Sequence, residues 1–338
     1  MFNDNPFNLS SNIKKEWLLE NLIVLTEHHK QNCIPYSNIL VSRNYSTADC
    51  LEDLPFLPVR LFKSTELKSS NNIIKTLTSS GTTGQTPSKI FVDSETANLQ
   101  TKALVNVVTS FIGHNRLPMI IVDAELTRNN MINASAAGVL GFAKFGRDHL
   151  YLLDENGKIK WSALEDFANK YKDKEILIFG FTYRVWQWIL ECDKFNFKGF
   201  LIHGGGWKKL TDQKVDNETF KQTIKEKLGD LTVSDYYGMV EQIGNVCFEC
   251  CDGYLHTPNF SDIIIRNPLT LEPVQNGTSG ILQSLSLLPK SYPGHSLLTE
   301  DLATKYGEDD CKCGRLGSFF KIHGRLPKSE IRGCSNTK

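Results

Sequence analysis

Apolar positions along the chain fall into three textures. Behind a serine cap at Ser10 or Ser11, Ile13, Trp17, Leu22 and Leu25 recur at helical spacing, with Pro35 as the stop. The run from Leu54 to Phe62 then carries two prolines, which predicts an extended segment laid against another surface. Residues 72–77 and 89–92 are strand-like and flank a loop rich in Ser, Thr and Gly. Residues 95–112 form an amphipathic helix with Ala97, Leu104, Val105, Val108 and Phe111 on one face. Short β-rich runs at 118–122, 175–179 and 199–203 follow, separated by helical patterns at 161–171, 183–192 and 217–228. This alternation predicts an α/β fold, a mainly parallel sheet with helices on its faces. After about residue 255, strands at 262–266, 280–283 and 319–322 are divided by Pro, Gly and Asn turns, a texture that predicts a small β subdomain.

Composition narrows the functional classes. In 338 residues, 38 Lys and Arg balance 38 Asp and Glu, which removes the electrostatic case for nucleic acid as the main partner. Apolar content of 40% suffices for a core and argues against disorder. No apolar run approaches a membrane span, and Met1-Phe-Asn-Asp-Asn-Pro6 lacks the marks of a signal peptide. Nine cysteines, an odd number, fit a reducing compartment, so the expected location is the cytoplasm.

The most informative stretch is Thr78-Ser-Ser-Gly-Thr-Thr-Gly-Gln-Thr-Pro87. Its glycines let successive backbone N–H groups converge on one point, and its hydroxyls add neutral donors. That combination suits a polyphosphate. It is not a Walker A loop, because no Gly-Lys-Ser/Thr follows. A flexible linker is the plainer reading, but predicted strands anchor both ends.

This loop resembles the phosphate-binding loop of the adenylate-forming superfamily of acyl- and aryl-CoA ligases. His203-Gly-Gly-Gly206, Tyr236-Tyr-Gly-Met-Val-Glu241, Leu298-Thr-Glu-Asp301 and Gly324-Arg325 resemble further motifs of that superfamily, in the expected order. Glu300 stands where its Thr-Gly-Asp motif has glycine. A closer resemblance, nearly end to end, is to the acyl-protein synthetases (LuxE-like). It is carried by Leu54-Pro-Phe-Leu-Pro-Val-Arg-Leu-Phe-Lys63, Gln85-Thr-Pro-Ser-Lys89, Tyr237-Gly-Met-Val-Glu-Gln242 and the run from Gly324 to Cys334.

The resemblance implies ATP-dependent activation of a carboxylic acid, expected to be a fatty acid, to acyl-AMP and pyrophosphate. Transfer to a thiol of a protein, a carrier or CoA would follow. It implies that Ser79, Ser80, Gly81, Thr82, Thr83 and Gly84 wrap the phosphates and that Thr83 and Glu241 hold Mg²⁺. Gly204, Gly205, Tyr237 and Gly238 would border adenine, Asp301 would take the ribose, and Arg325 the ribose or phosphate. Phe181, Tyr183 and Trp186 lie where such enzymes line the acyl pocket; packing as ordinary helix core is the alternative. A C-terminal lid domain is expected to be absent, since 14 residues follow Gly324. That leaves Cys334, near Arg332 on the tail, as the candidate acylated thiol, with Lys328 as a weak stand-in for the lid lysine. Related ligases can hold structural Zn²⁺, which here implies Cys250 (or Cys251), His256, Cys311 and Cys313. The expected organisation is an arm at 1–70, a nucleotide-binding core at 71–255, a β subdomain at 256–323 and a tail at 324–338. A phenylacetate-type CoA ligase and a catalytically idle nucleotide-binding module are the rivals.

Overall fold

The computed structural model describes residues 5–79, 86–126 and 134–326. Two helices, α1 (Ser11–Asn32) and α2 (Ile34–Ser42), open the chain. Ser10 precedes α1 but makes no side-chain cap; instead Asp309, nearly 300 positions away, accepts from the Ser11 amide at 2.8 Å. Pro35 does not follow the helical region. It occupies the first turn of α2, where its missing N–H costs nothing. The proline-rich segment holds β1 (Leu57–Pro58) and the single turn α3 (Leu61–Ser64).

A hairpin of β2 (Ile73–Thr78) and β3 (Lys89–Asp93) brackets the Ser/Thr/Gly loop. Next comes α4 (Ser94–Ile112), whose N-terminal amide at Thr96 is capped by the Asp93 carboxylate at 2.8 Å. The alternating region contributes β4 (Leu117–Ala124), α5 (Ala134–Ala143), β5 (Gly146–Leu153), α6 (Trp161–Lys170), β6 (Glu175–Phe181), α7 (Thr182–Glu191), β7 (Phe197–Gly204), α8 (Asn217–Leu228) and β8 (Gly229–Tyr237). The remainder is β9 (Cys247–Glu249), β10 (Leu255–His256), β11 (Ser261–Arg266), β12 (Ser279–Ser286), β13 (Ser296–Glu308) and β14 (Ser318–Arg325).

Strand order is β11-β12-β13-β14-β10-β9-β8-β7-β6-β4-β5, with β1 pairing in parallel along β13. Strands β4 to β8 are parallel and β9 to β14 antiparallel, yet hydrogen bonding runs unbroken through β9 and β10.

The central parallel strands β4 and β6 are buried on both faces, so they appear in the sequence as solid apolar runs. Alternation then assigns the faces. Ile120, Val122, Ile176 and Ile178 face one core, under α6, α7 and α8. Met119, Ile121, Leu177 and Phe179 face the other, under α4 and α5. This division of faces decides which aromatic residues can reach the site.

Candidate active site

Register lines up Phe181 with Gly204 and Gly204 with Tyr236 at the carboxyl ends of β6, β7 and β8. Ligands of open parallel sheets gather at this edge. A cavity of about 350 Å³ opens there, on the α4–α5 side. Its apolar wall comes from Leu104, Gly138, Gly141, Phe142 and Phe181. Its polar wall comes from Ser79, Ser88, Glu241, Asn245, Asp301 and Arg325.

The Ser/Thr/Gly loop is pinned at its base. Ser79 Oγ accepts from the Ser88 amide at 2.9 Å, and the Ser79 amide donates to Ser88 O at 3.2 Å. Ser80, Gly81, Thr82, Thr83 and Gly84 lie outside the described residues, as does Cys334. Glu241 sits on a helical turn at Val240–Gln242 and is 9% exposed. Burial pushes its carboxyl above the ordinary range, against the pull of the Ser88 hydroxyl, Arg325 and Lys63. Such a carboxylate becomes favourable when a cation arrives, so it fits a magnesium ligand.

Asp301 and Arg325 are cross-strand partners on β13 and β14, with Arg325 Nε 3.7 Å from Asp301 Oδ1. The Tyr237 hydroxyl donates to Asp301 Oδ2 at 2.8 Å. Burial raises the Asp301 carboxyl, opposed by Tyr237 and Arg325. On the same rim, Arg60 is ion-paired with Glu300, the residue that replaces the motif glycine.

Gly204 has no room for a side chain: a Cβ there would lie 2.6 Å from the Tyr236 ring and 2.7 Å from its carbonyl. Gly205, at φ +80°, lines the cavity. Sequence reasoning missed the residue that holds this turn. Thr182 Oγ1 donates to Gly204 O at 3.2 Å and sits 3.0 Å from His203 Nδ1. Burial lowers the His203 pKa to about 3, so its ring is neutral.

Two expectations change in detail. Tyr236, not Tyr237, lines the cavity, because adjacent strand residues point to opposite faces. Tyr237 instead packs against Phe320 and reaches the site through Asp301. Of the three aromatic residues expected in an acyl slot, the structure brings only Phe181 to the cavity. Trp186 lies on the opposite face of the sheet, stacked on Phe220 and edge-on to Trp207, because α7 packs there. Tyr183 sits beside the α4–α5 core and its hydroxyl accepts from Arg184. Gly138, Gly141 and Asn245, which carry no motif, were not foreseen.

Away from the cavity, Cys250, His256, Cys311 and Cys313 bring one ligand atom each to within 4.8 Å of one another. Cys250 and Cys311 Sγ atoms are 3.9 Å apart, and Cys313 Sγ lies 3.3 Å from His256 Nε2. Tetrahedral Zn–S bonds would set sulfurs about 3.8 Å apart, so the cluster fits zinc chemically and metrically. Burial, with Arg315 and Lys14 nearby, lowers the His256 pKa to about 4, keeping the ring neutral. Burial opposes the Cys313 thiolate, but the Arg315 amide and neighbouring thiols hold that thiol below its usual value. Cys251 is exposed and outside the cluster.

The frame is that of the adenylate-forming ligases. An open conformation of 2-hydroxyisobutyryl-CoA ligase, in complex with 2-HIB-AMP and CoA, superposes with a TM-score of 0.73 over 97% of this chain and 79% of that one, at 17% identity. ATP-bound MatB from Rhodopseudomonas palustris gives 0.50 over 76% and 49%, at 13% identity. At these identities the likeness is one of fold. The profile of the acyl-protein synthetase family, LuxE, matches residues 1–338, and the chain belongs to that family. A long-chain-fatty-acid–luciferin-component ligase of Vibrio harveyi is 25% identical over 304 residues, 84% of this chain and 77% of that protein. Its Aliivibrio fischeri counterpart is 27% identical over 293 residues, 82% and 74%. Among the described residues, no helix is long and apolar enough to cross a membrane.

Proposed function

We propose that the protein activates a fatty acid with ATP and passes the acyl group to a protein thiol. A carboxylate oxygen bonds to the α-phosphorus as the bond to the β-phosphate bridging oxygen breaks, giving acyl-AMP and pyrophosphate. A thiolate then attacks the acyl carbon, and AMP leaves. The observation that carries this reading is one cavity with two chemistries: a polar wall bearing Glu241, Asp301 and Arg325 faces an apolar wall of Phe142, Phe181 and Leu104. Such a cavity suits an acid with an apolar tail next to a nucleotide.

In this reading the segment Ser79–Gly84 takes the β- and γ-phosphates. Glu241 and Thr83 hold magnesium, which neutralises phosphate charge when bound. Gly204, Gly205 and Gly238 border adenine, Asp301 takes the ribose hydroxyls, and Arg325 the ribose or phosphate. Zinc in the Cys250–His256–Cys311–Cys313 cluster would be structural: all four positions are filled by protein, and the cluster ties β10 and the loop before β14 together. The tail thiol of Cys334 is the proposed acyl acceptor, with onward transfer to a partner protein. Free thiols at all eight described cysteines fit a cytoplasmic setting. The test is ATP–pyrophosphate exchange and hydroxamate trapping over a panel of acids. Acid-dependent exchange is expected; none with any acid would leave a nucleotide-binding module, and CoA-dependent product would indicate a CoA ligase.

A further inference from the structure

The apolar half of the cavity has a floor. Helix α5 lies directly on the rings at the ends of β6 and β8: a Cβ added at Gly138 would already touch the Phe181 ring at 3.6 Å and the Tyr236 hydroxyl at 3.8 Å. One turn on, a Cβ at Gly141 would press on the Leu104 side chain of α4 at 3.1 Å. A methylene chain is as thick as a methyl group, so none passes along α5 at either point. Beneath, Phe142 is 2% exposed, its ring centroid 4.3 Å from that of Phe179 and 4.9 Å from that of Tyr236. Phe248 continues the pile 5.9 Å from Tyr236, and Phe111 lies 5.1 Å from Phe248. Phe142 lines the cavity, whereas Phe179, Phe248 and Phe111 do not, so among the described residues the cavity ends at Phe142. Rings packed at the density of a protein interior hold no channel between them.

Size sets the same limit. Pockets that enclose a single drug-sized ligand run to roughly 300–1,000 Å³, and this one, at about 350 Å³, must admit a nucleotide as well as the acid. The nucleotide belongs to the polar wall of Glu241, Asp301 and Arg325, which leaves the tail the corner bounded by Leu104, Gly138, Phe142 and Phe181. A longer tail has one other way out, back through the mouth into water. Its outer methylenes would gain nothing from burial there, and added length would leave turnover unchanged.

We infer that the acid is a short-chain one, of the size of butyric to hexanoic acid, whose tail ends against the Phe142 ring. This rests on the acid-activating reading above and deepens it, making Phe142 a specificity-determining residue.

The experiment measures pyrophosphate exchange by the full chain with straight-chain acids from acetic to dodecanoic. In the wild type kcat/KM should peak between butyric and hexanoic acid and fall by ~10-fold or more at the first methylene that no longer fits. Dodecanoic acid should lie ~100-fold or more below the best acid. Phe142→Ala lowers the floor, so octanoic acid should gain ~10-fold or more on butyric acid. Phe142→Leu gives the same readout should the alanine variant fail to fold. A merely structural role for the ring would lower exchange with every acid alike, and that outcome overturns the inference. So does a wild-type profile that is flat or that peaks at dodecanoic acid. If no acid supports exchange, the activity itself fails. Calorimetric titration of butyric and dodecanoic acids into protein loaded with a non-hydrolysable ATP analogue then decides the inference alone. Butyric acid should bind the more tightly; equal or tighter binding of dodecanoic acid, or binding of neither, overturns it.

Discussion

The Tyr237 hydroxyl donates to the Asp301 carboxylate at 2.8 Å, across the junction between the parallel and antiparallel strands. Tyr237 ends β8 and Asp301 lies in mid-β13, so one bond aligns the two walls of the site. Tyr237→Phe should lower affinity for ATP by about tenfold or more, the cost of one hydrogen bond to a charged group. Calorimetry with a non-hydrolysable analogue checks this, and unchanged affinity would detach Asp301 from the nucleotide.

Glu241 is held above its ordinary pKa by burial, so its ionised form burdens the fold. Glu241→Gln should raise the melting temperature by a few degrees, on the order of 1 kcal/mol, while adenylation falls steeply. The sign with pH follows from the raised pKa. Well below pH 4.5, the wild-type carboxyl is protonated in both folded and unfolded states and variant and wild type should agree. Above it, ionisation favours the unfolded chain until the folded group also ionises, so the gap should open as pH rises. Thermal scans across that range measure it.

Gly138 and Trp186 give opposite expectations. A methyl at Gly138 would meet Phe181 and Tyr236 at ordinary contact, 3.6 and 3.8 Å, so a larger side chain must enter the cavity. Gly138→Leu should cut turnover of the longest acids by at least about tenfold and spare short ones. Trp186→Ala should cost ~3–5 kcal/mol of stability and leave the order of acid preference unchanged. Acid panels and denaturant titrations distinguish the two.

Purified protein should contain about one zinc per chain. Cys311→Ser or Cys313→Ser should bring it below half and reduce thermal stability, since structural zinc contributes folding energy directly. Intact thiols with negligible zinc by elemental analysis would refute the assignment.

Radiolabelled acid should become attached to the protein in the presence of ATP, and Cys334→Ser should abolish that labelling without reducing pyrophosphate exchange. Labelling that survives the substitution assigns the acceptor elsewhere.

Much of this architecture was legible before the coordinates. The runs at 118–122, 175–179 and 199–203 lie within β4, β6 and β7, because short apolar runs between helical patterns have few alternatives. β5 and α5 were not anticipated. The Ala/Gly-rich α5 lacks a polar face, having one side on the core and one on the cavity. Glu241, Asp301 and Arg325 could be picked out because their motifs are rigidly spaced, and the structure gathers all three at one cavity. Trp186 could not be placed, since nearness to Phe181 in sequence says nothing about which face of the sheet α7 covers. Asn245 was equally hidden: it donates to the Gln242 amide, which the Ser284 and Gly294 carbonyls, some 40 to 50 positions downstream, hold in place.

The unbroken ladder from β11 to β5 also bears on how the protein tells its substrates apart. With α5 and β6 on one flank of the cavity and β13 and β14 on the other, all bound to a shared scaffold, the opening has a set gauge. A mould of that kind sorts guests by dimensions and does not reshape itself around them. Turnover against chain length should therefore end in a sharp step rather than a gentle slope.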